Sequence, residues 1–443
     1  MIASFLMLAA SMRGGPAHAA TQVGFKGPSY AGSGAESTGG AITGEKPESK
    51  LWHHAGTWWA VMVSASTSGA KTIWRLGTTA WINTGVVVEN RSWTKEDVLS
   101  VGNTLYIASR GGSEPTGNLL RRFSYANGTH VLNAGFPTSI PGANQETLTI
   151  ARDSAMRLWI TYEKNGAIYV SHTSGSDASW TPEFVLPVSQ ASSVADDDIS
   201  SVIAFTDNAG PAVGVMFSDQ EAGTDYFAVH RDAAPTSQWT VETALSGGGP
   251  ADDHINLKTV EGRVYGAAKT EDPSGSDTQI WLLVRSITGT WQKHSVATAD
   301  EANTRPITML DPAARLIHVF MSLGEGDAAQ GVVAKSSNMD AVGFSSEASF
   351  VLHGPNNEPI NNVTSTKQAT NAATGIVLLA SDGADYWWNK VSGATPAPGA
   401  STPGVVRGNV WYLSNDFDGD HDIPAFALGN STDHRIVGDW DGP

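Results

Sequence analysis

Short apolar runs alternate with polar clusters along almost the whole chain. Seven of the runs are alike: 58–63, 105–108, 158–162, 213–217, 264–268, 317–321 and 376–380, beginning at Trp58, Leu105, Leu158, Val213, Val264, Ile317 and Ile376. Their second residues are separated by 47 to 59 positions. The runs are rich in β-branched and aromatic residues, and no segment carries a convincing 3.6-residue period, so they read as strands. Around each run the pattern repeats: a polar cluster, a first strand, a turn, the apolar strand, a loop, then a third and a fourth strand. In the third repeat these fall near 146–150, 158–162, 167–172 and 183–188. A fixed repeat of about fifty residues in an all-β chain predicts blades. The expected fold is therefore a seven-bladed β-propeller with four-stranded blades, in which radial repetition brings seven polar clusters to one axis.

The seventh repeat lacks a fourth strand. Its third strand lies near 385–390, and the Pro/Gly/Ser/Thr-rich stretch 392–404 has the composition of a linker. An unpaired strand would leave an open sheet edge. We therefore expect a strand from residues 20–45, otherwise Gly-, Ser-, Ala- and Thr-rich, to close the ring. The propeller then spans 20–391, and 405–443 is a separate unit.

Composition narrows the function. The chain has 443 residues and a formal net charge of −17, with only 16% charged residues. That balance argues against nucleic acid, whose phosphates need a basic surface, and against anionic membranes. There is no cysteine, hence no disulfide framework and no thiolate metal site. The apolar run 2–10 is too short to span a bilayer. With the small-x-small triplet Ala17-His18-Ala19 it reads as an export signal, residues 1–19, cleaved after Ala19. No Lys or Arg precedes the run, which suggests a start further upstream. The expected location is outside a bacterial cell or on its surface, and the expected state is a monomer with no membrane insertion.

The chemistry is expected in the seven clusters, which begin the innermost strands beside the central channel. They fall at 48–50, 95–97, 145–147, 196–198, 252–256, 303–305 and 361–362, the last continuing through 365–367. As candidate catalytic groups we take Glu146, Asp198, Asp253 and His254. As candidate substrate-binding groups we take Lys50, Asp97, Asn256, Lys258, Arg305, Asn362 and Lys367. Two carboxylates with separated proton affinities can act as acid and as base or nucleophile in glycoside cleavage. His254 suits general acid–base work near neutral pH, and Lys or Arg can hold a uronate. Trp52, Trp93 and Tyr226 are candidates for stacking on sugar faces. Alternation along 252–258 puts His254, Asn256 and Lys258 on one face and Asp253, Ile255 and Leu257 on the other. The same clusters also suit a purely structural role, pairing across blades or bonding turn amides. The acidic run 196–198 reads either as a calcium ligand set or as a solvated turn.

Ser176-Asp177-Ala178-Ser179-Trp180 resembles a degenerate Asp-box, and Thr236-Ser237-Gln238-Trp239 and Thr288-Gly289-Thr290-Trp291 keep its terminal Trp. By this pattern the propeller is similar to sialidase-like (BNR-repeat) propellers, a resemblance covering about 345 residues and implying a shared scaffold. The arginine triad and the Tyr–Glu pair of true sialidases are not matched. Arg305-Pro306-Ile307 is the nearest approach to their Arg-Ile-Pro motif, in another order. At the C-terminus, Trp411-Tyr412-Leu413, Ala425-Phe426-Ala427-Leu428-Gly429 and Val437-Gly438-Asp439-Trp440-Asp441-Gly442 resemble an FG-GAP or VCBS-like repeat, which the stop at Pro443 leaves partial. Asp416, Asp418, Asp420 and Asp422 resemble the calcium loop such repeats carry, or form a bare acidic turn. It departs from an EF-hand in lacking Gly at position six and Glu at twelve.

Two functions follow as expectations. The first is a secreted carbohydrate-active enzyme, a glycoside hydrolase or polysaccharide lyase working in the funnel, with no cofactor required and a structural calcium as an option. The second is a non-catalytic glycan- or protein-binding propeller at the cell surface.

Overall fold

The computed structural model describes residues 22–34, 42–44, 46–67, 69–91, 93–111, 117–143, 145–247, 251–271 and 273–391, together with the strands 404–407, 410–413 and 423–427. The expected signal 1–19, the acidic loop 416–422 and the Asp-Trp-Asp-Gly motif lie outside the described residues. Among the described residues no helix is long and apolar enough to cross a membrane.

Seven antiparallel sheets make the first unit, Met1–Val391. Their inner strands are Leu51–His54, Lys95–Val101, Thr149–Arg152, Ser200–Asp207, Ala251–Val260, Asn303–Asp311 and Asn361–Thr364 for blades one to seven. Each inner strand turns back into the apolar strand foreseen from the repeat, from Thr57–Val63 in blade one to Ile376–Ser381 in blade seven. The ring closes as expected: Phe25–Ser29 pairs with Asp385–Val391 and becomes the outer strand of blade seven. Val23 adds two backbone hydrogen bonds to His353, of 2.9 and 3.0 Å.

The apolar strand of each blade is buried on both sides because its two faces pack against different neighbours. Seven clusters of buried side chains result, one in each seam between adjacent blades. Trp52 and Trp59 of blade one meet Val98, Leu105, Ile107 and Phe123 of blade two, for example. Trp52 is therefore core and cannot stack on a sugar, whereas Trp93 is 37% exposed on an inter-blade loop. Tyr226 is partly buried against the seam between blades three and four. His172 and His230 pack there around Trp159, with ring centroids 4.6 and 5.2 Å from it. Gly214 breaks its apolar run for a packing reason: a Cβ there would lie 2.0 Å from the Phe227 ring.

The degenerate boxes have structural partners. Asp177 accepts two hydrogen bonds from Arg122, of 2.8 and 2.6 Å, joining blades three and two. Trp291 donates to Glu242 at 2.8 Å and Trp239 to the Thr236 carbonyl at 2.8 Å.

The second unit, Ser392–Pro443, contains a three-stranded antiparallel sheet of Gly404–Arg407, Val410–Leu413 and Ile423–Ala427.

Candidate functional site at the mouth of the ring

The inner strands of blades two, three and four pair regularly with their neighbours. Those of blades five, six and seven are bulged at their starts. In blade five Ala251 pairs with Thr270 and Ile255 with Ala268, so Asp252, Asp253 and His254 all oppose Lys269. In blade six Arg305 and Pro306 oppose Met321, and in blade seven Asn362 and Val363 oppose Ala380. Pro306 has no N–H to lose to a ladder, which suits a bulge. Bulges re-aim side chains and concentrate beside active sites. Arg305 and Asn362 carry left-handed backbone, φ 51° and 56°, as does Lys46 at 59°. For residues with a Cβ this conformation is strained.

The blade-five bulge gathers one cluster. His254 Nδ1 lies 2.5 Å from Asp252 Oδ1 and 2.7 Å from Asp253 Oδ1. Lys269 binds Asp252 at 3.0 Å and reaches Glu325 at 3.7 Å. Glu325 also takes Arg305 at 3.1 Å and the Thr304 hydroxyl at 2.9 Å. Lys46, from the segment leading into blade one, extends to blades three and five: its ammonium binds Glu146 Oε1 at 2.7 Å and also Asp253 Oδ2. Glu146 and Asp253 remain 33% and 23% exposed.

The remaining candidates on the inner strands are held by one another and by backbone groups. Asp97 is fully buried and accepts the Ser49 amide at 2.9 Å, the Ile150 amide at 2.8 Å and the Lys367 ammonium. Lys367 also donates to the Ile150 carbonyl at 2.6 Å. Lys258 donates to Asn256 at 2.9 Å, and Asn256 accepts the Thr308 amide at 3.3 Å. Lys50 reaches Glu48 at 3.5 Å and donates to the Glu96 carbonyl.

The eleven candidate residues thus separate by depth. Glu146, Asp253, His254 and Arg305 belong to the mouth. Lys50, Asp97, Asn256 and Lys258 are buried ties between strands. Lys367 is partly exposed but bound to Asp97. Asn362 stands at the blade-seven bulge, where its carbonyl accepts the Thr43 hydroxyl at 2.6 Å. Asp198 is buried away from the cluster, accepting the Ala195 amide at 2.7 Å and the Gln220 amide at 3.2 Å. The alternation expected along 252–258 holds for Asn256 and Lys258. It fails at Asp252, Asp253 and His254, because the bulge turns three consecutive side chains together. Lys46, Lys269 and Glu325 were not read as site residues from the sequence. Lys269 and Glu325 lie at the ends of second strands, which antiparallel pairing returns to the face where inner strands start; that register was the available signal. Lys46 sits in a segment whose composition gave none.

Charge in this cluster is tightly balanced. Burial pushes the His254 imidazole down to about 4, against the pull of Asp252. Burial also works against a charge on Asp252, yet His254 and Lys269 hold it below the usual carboxylate range. His254 is therefore neutral at pH 7, and its buried Nε2 has no hydrogen-bond partner among the described residues. Deeper in the channel, burial and the nearby charge of Lys367 lower Lys258 to about 7. On the rim of blade three, burial raises Glu163 to about 7, with Asp196 and Asp198 adding to the shift. Among the described residues, Asp252, Asp253 and His254 are the group that could hold a metal, with ligand atoms within 4.8 Å of one another. His254 Nδ1 already spans both carboxylates and two lysines neutralise them, so a cation there must displace a lysine.

The left-handed backbone at Arg305 gives a direct test of whether the mouth is strained for function. Arg305→Gly should raise stability by about 1 kcal/mol, since glycine adopts φ 51° freely and the lost ion pair with Glu325 is solvent-exposed. Thermal melting checks this, and a lower melting temperature would show that Arg305 is structural.

No protein-family model matches the chain, and no curated protein matches it in sequence. Solved propellers do resemble it in structure. The polysaccharide lyase Uly1 aligns at TM-score 0.47, with 9% identity over 78% of this chain and 90% of that one. A streptogramin B lyase aligns at TM-score 0.45, with 10% identity over 78% of this chain and 94% of that one. The phage phi92 endosialidase aligns at TM-score 0.43, with 11% identity over 95% of this chain and 79% of that one. The activities named are those of these proteins.

Proposed function

We propose that the chain is an exported glycan-active propeller that hydrolyses glycosidic bonds at the mouth of the ring. One observation carries this reading: Glu146 of blade three and Asp253 of blade five, both partly exposed, converge on a single ammonium. Two oxygens sharing one ammonium lie within about 6 Å of each other. Retaining glycosidases place their two carboxyl groups roughly 5–5.5 Å apart.

Asp253 is the more recessed and is fixed by His254, which suits a nucleophile that must not wander. Glu146 is the more exposed, which suits an acid that must exchange its proton with water. Glu146 would protonate the departing glycosidic oxygen while Asp253 Oδ bonds to the anomeric carbon. Water, deprotonated by Glu146, would then release the sugar and restore Asp253. Asp252 would act as a positioning residue, holding His254 against Asp253.

The test is a panel of neutral, amino-bearing and uronate polysaccharides incubated with the full chain. New reducing ends without absorbance from unsaturated uronates are expected. Glu146→Gln and Asp253→Asn should each lower kcat by about 10²–10⁴-fold with the fold intact. Reducing ends accompanied by that absorbance would mean elimination instead. A second reading, a glycan-binding module, draws on Lys46, which already satisfies both carboxylates. Binding without any cleavage across the panel would establish it in place of the hydrolase.

A further inference from the structure

The charge of the mouth bears on which glycan fits there, an inference that rests on the mouth being the glycan site. The cations around it are already engaged: Lys269 by Asp252, Arg305 by Glu325 and Lys367 by Asp97. The accessible acids lie less covered. Glu325 is 57% exposed and Glu146 33% exposed. A uronate carboxylate would have to strip a lysine or arginine from its partner and then sit among acids. The chain's net charge of −17 adds to that repulsion.

A primary ammonium meets the opposite situation, and the structure contains one in place. Lys46 puts three N–H donors between Glu146 and Asp253 on a long flexible stem. Its stem is largely covered, with 9% of the side chain exposed, so a ligand ammonium takes this place only by displacing it. A protonated amino group on a sugar ring offers the same charge and the same donors. We infer that the mouth selects glycans bearing free amino groups, polymers of 2-amino-2-deoxy sugars, whose ammonium takes the place of Lys46 beside Asp253 while Glu146 faces the glycosidic oxygen. Being tethered, Lys46 competes with the ligand at high effective concentration.

That competition gives the inference an unusual sign. Removing Lys46 should tighten binding, whereas removing a residue that holds the substrate would weaken it. Isothermal titration of the full chain would compare a hexamer of glucosamine, its fully N-acetylated counterpart and a galacturonate hexamer. The free-amine hexamer should bind at least about tenfold more tightly than either, with the gap narrowing as salt rises. Lys46→Met and Lys46→Gln should each strengthen its binding a further tenfold or so, and Asp253→Asn should weaken it. Thermal melts of the variants would confirm folding. Equal binding of the acetylated or uronate hexamer, or weaker amine binding in both folded Lys46 variants, would overturn the inference. Reducing-end release measured alongside separates the two claims. Cleavage with no preference for amines leaves the hydrolase and removes this inference. Amine-selective binding without cleavage does the reverse.

Discussion

Asp97→Asn is expected to cost the propeller about 3–5 kcal/mol, the range seen when one partner of a buried charged pair is removed. The carboxylate is fully buried and receives three donors: the amides of Ser49 and Ile150 and the ammonium of Lys367. These come from the lead-in to blade one, from blade three and from blade seven, so a single side chain in blade two joins four parts of the ring. An asparagine keeps one acceptor oxygen and turns two donors toward groups that are themselves donors. At least one buried N–H and the Lys367 charge would then lose their partner. Chemical denaturation measures the loss, with Asp253→Asn as the control. Asp253 is partly exposed at the mouth, and its loss should change stability by less than about 1 kcal/mol. Similar stabilities for the two variants would mean that the separation of mouth from channel is wrong.

Deleting residues 1–30 should have a comparably large effect by another route. It removes the outer strand of blade seven, Phe25–Ser29, and with it the backbone pairing to Asp385–Val391. It also removes Tyr30, which is fully buried against Tyr386 with ring centroids 5.1 Å apart. Phe25, stacked on Trp388 at 4.7 Å, goes as well. Burial of one aromatic side chain is worth roughly 2–3 kcal/mol. The exposed edge of Asp385–Val391 would add a tendency to associate. The expected result is a lower melting temperature and a broader transition. An unchanged melting curve would show that the ring does not depend on this strand.

Much of the scaffold was legible because a strand's burial is written into it directly. An apolar strand with a different blade on each side must be apolar on both faces, as Leu158–Tyr162 and Ile376–Ala380 are. Repeating that demand seven times leaves a period that composition cannot hide. The missing fourth strand of blade seven was legible for the same reason: a strand edge must be paired, and Phe25–Ser29 pairs it.

The site was legible only in part. Sequence placed Glu146, Asp253, His254 and Arg305 at inner-strand starts, and the structure brings them to one mouth. It gave Asp97, Lys258 and Lys367 the same standing, because position along a strand does not reveal depth in a channel. Asp97 became a tie and Glu146 stayed partly open through the packing of side chains from distant blades. Asp252, Asp253 and His254 converge because a bulge sets three residues against Lys269, and period-two alternation cannot foresee a bulge. Lys46 reaches Glu146 and Asp253 from a segment 100 and 207 residues away along the chain. Seven repeats, their strand order and the face on which polar groups collect could be read from the residues alone, since these follow from local burial and chain connectivity. Which of those groups meet, which are buried and which remain open to a ligand emerged from the folded ring, since these depend on contacts between residues that the chain order leaves unrelated.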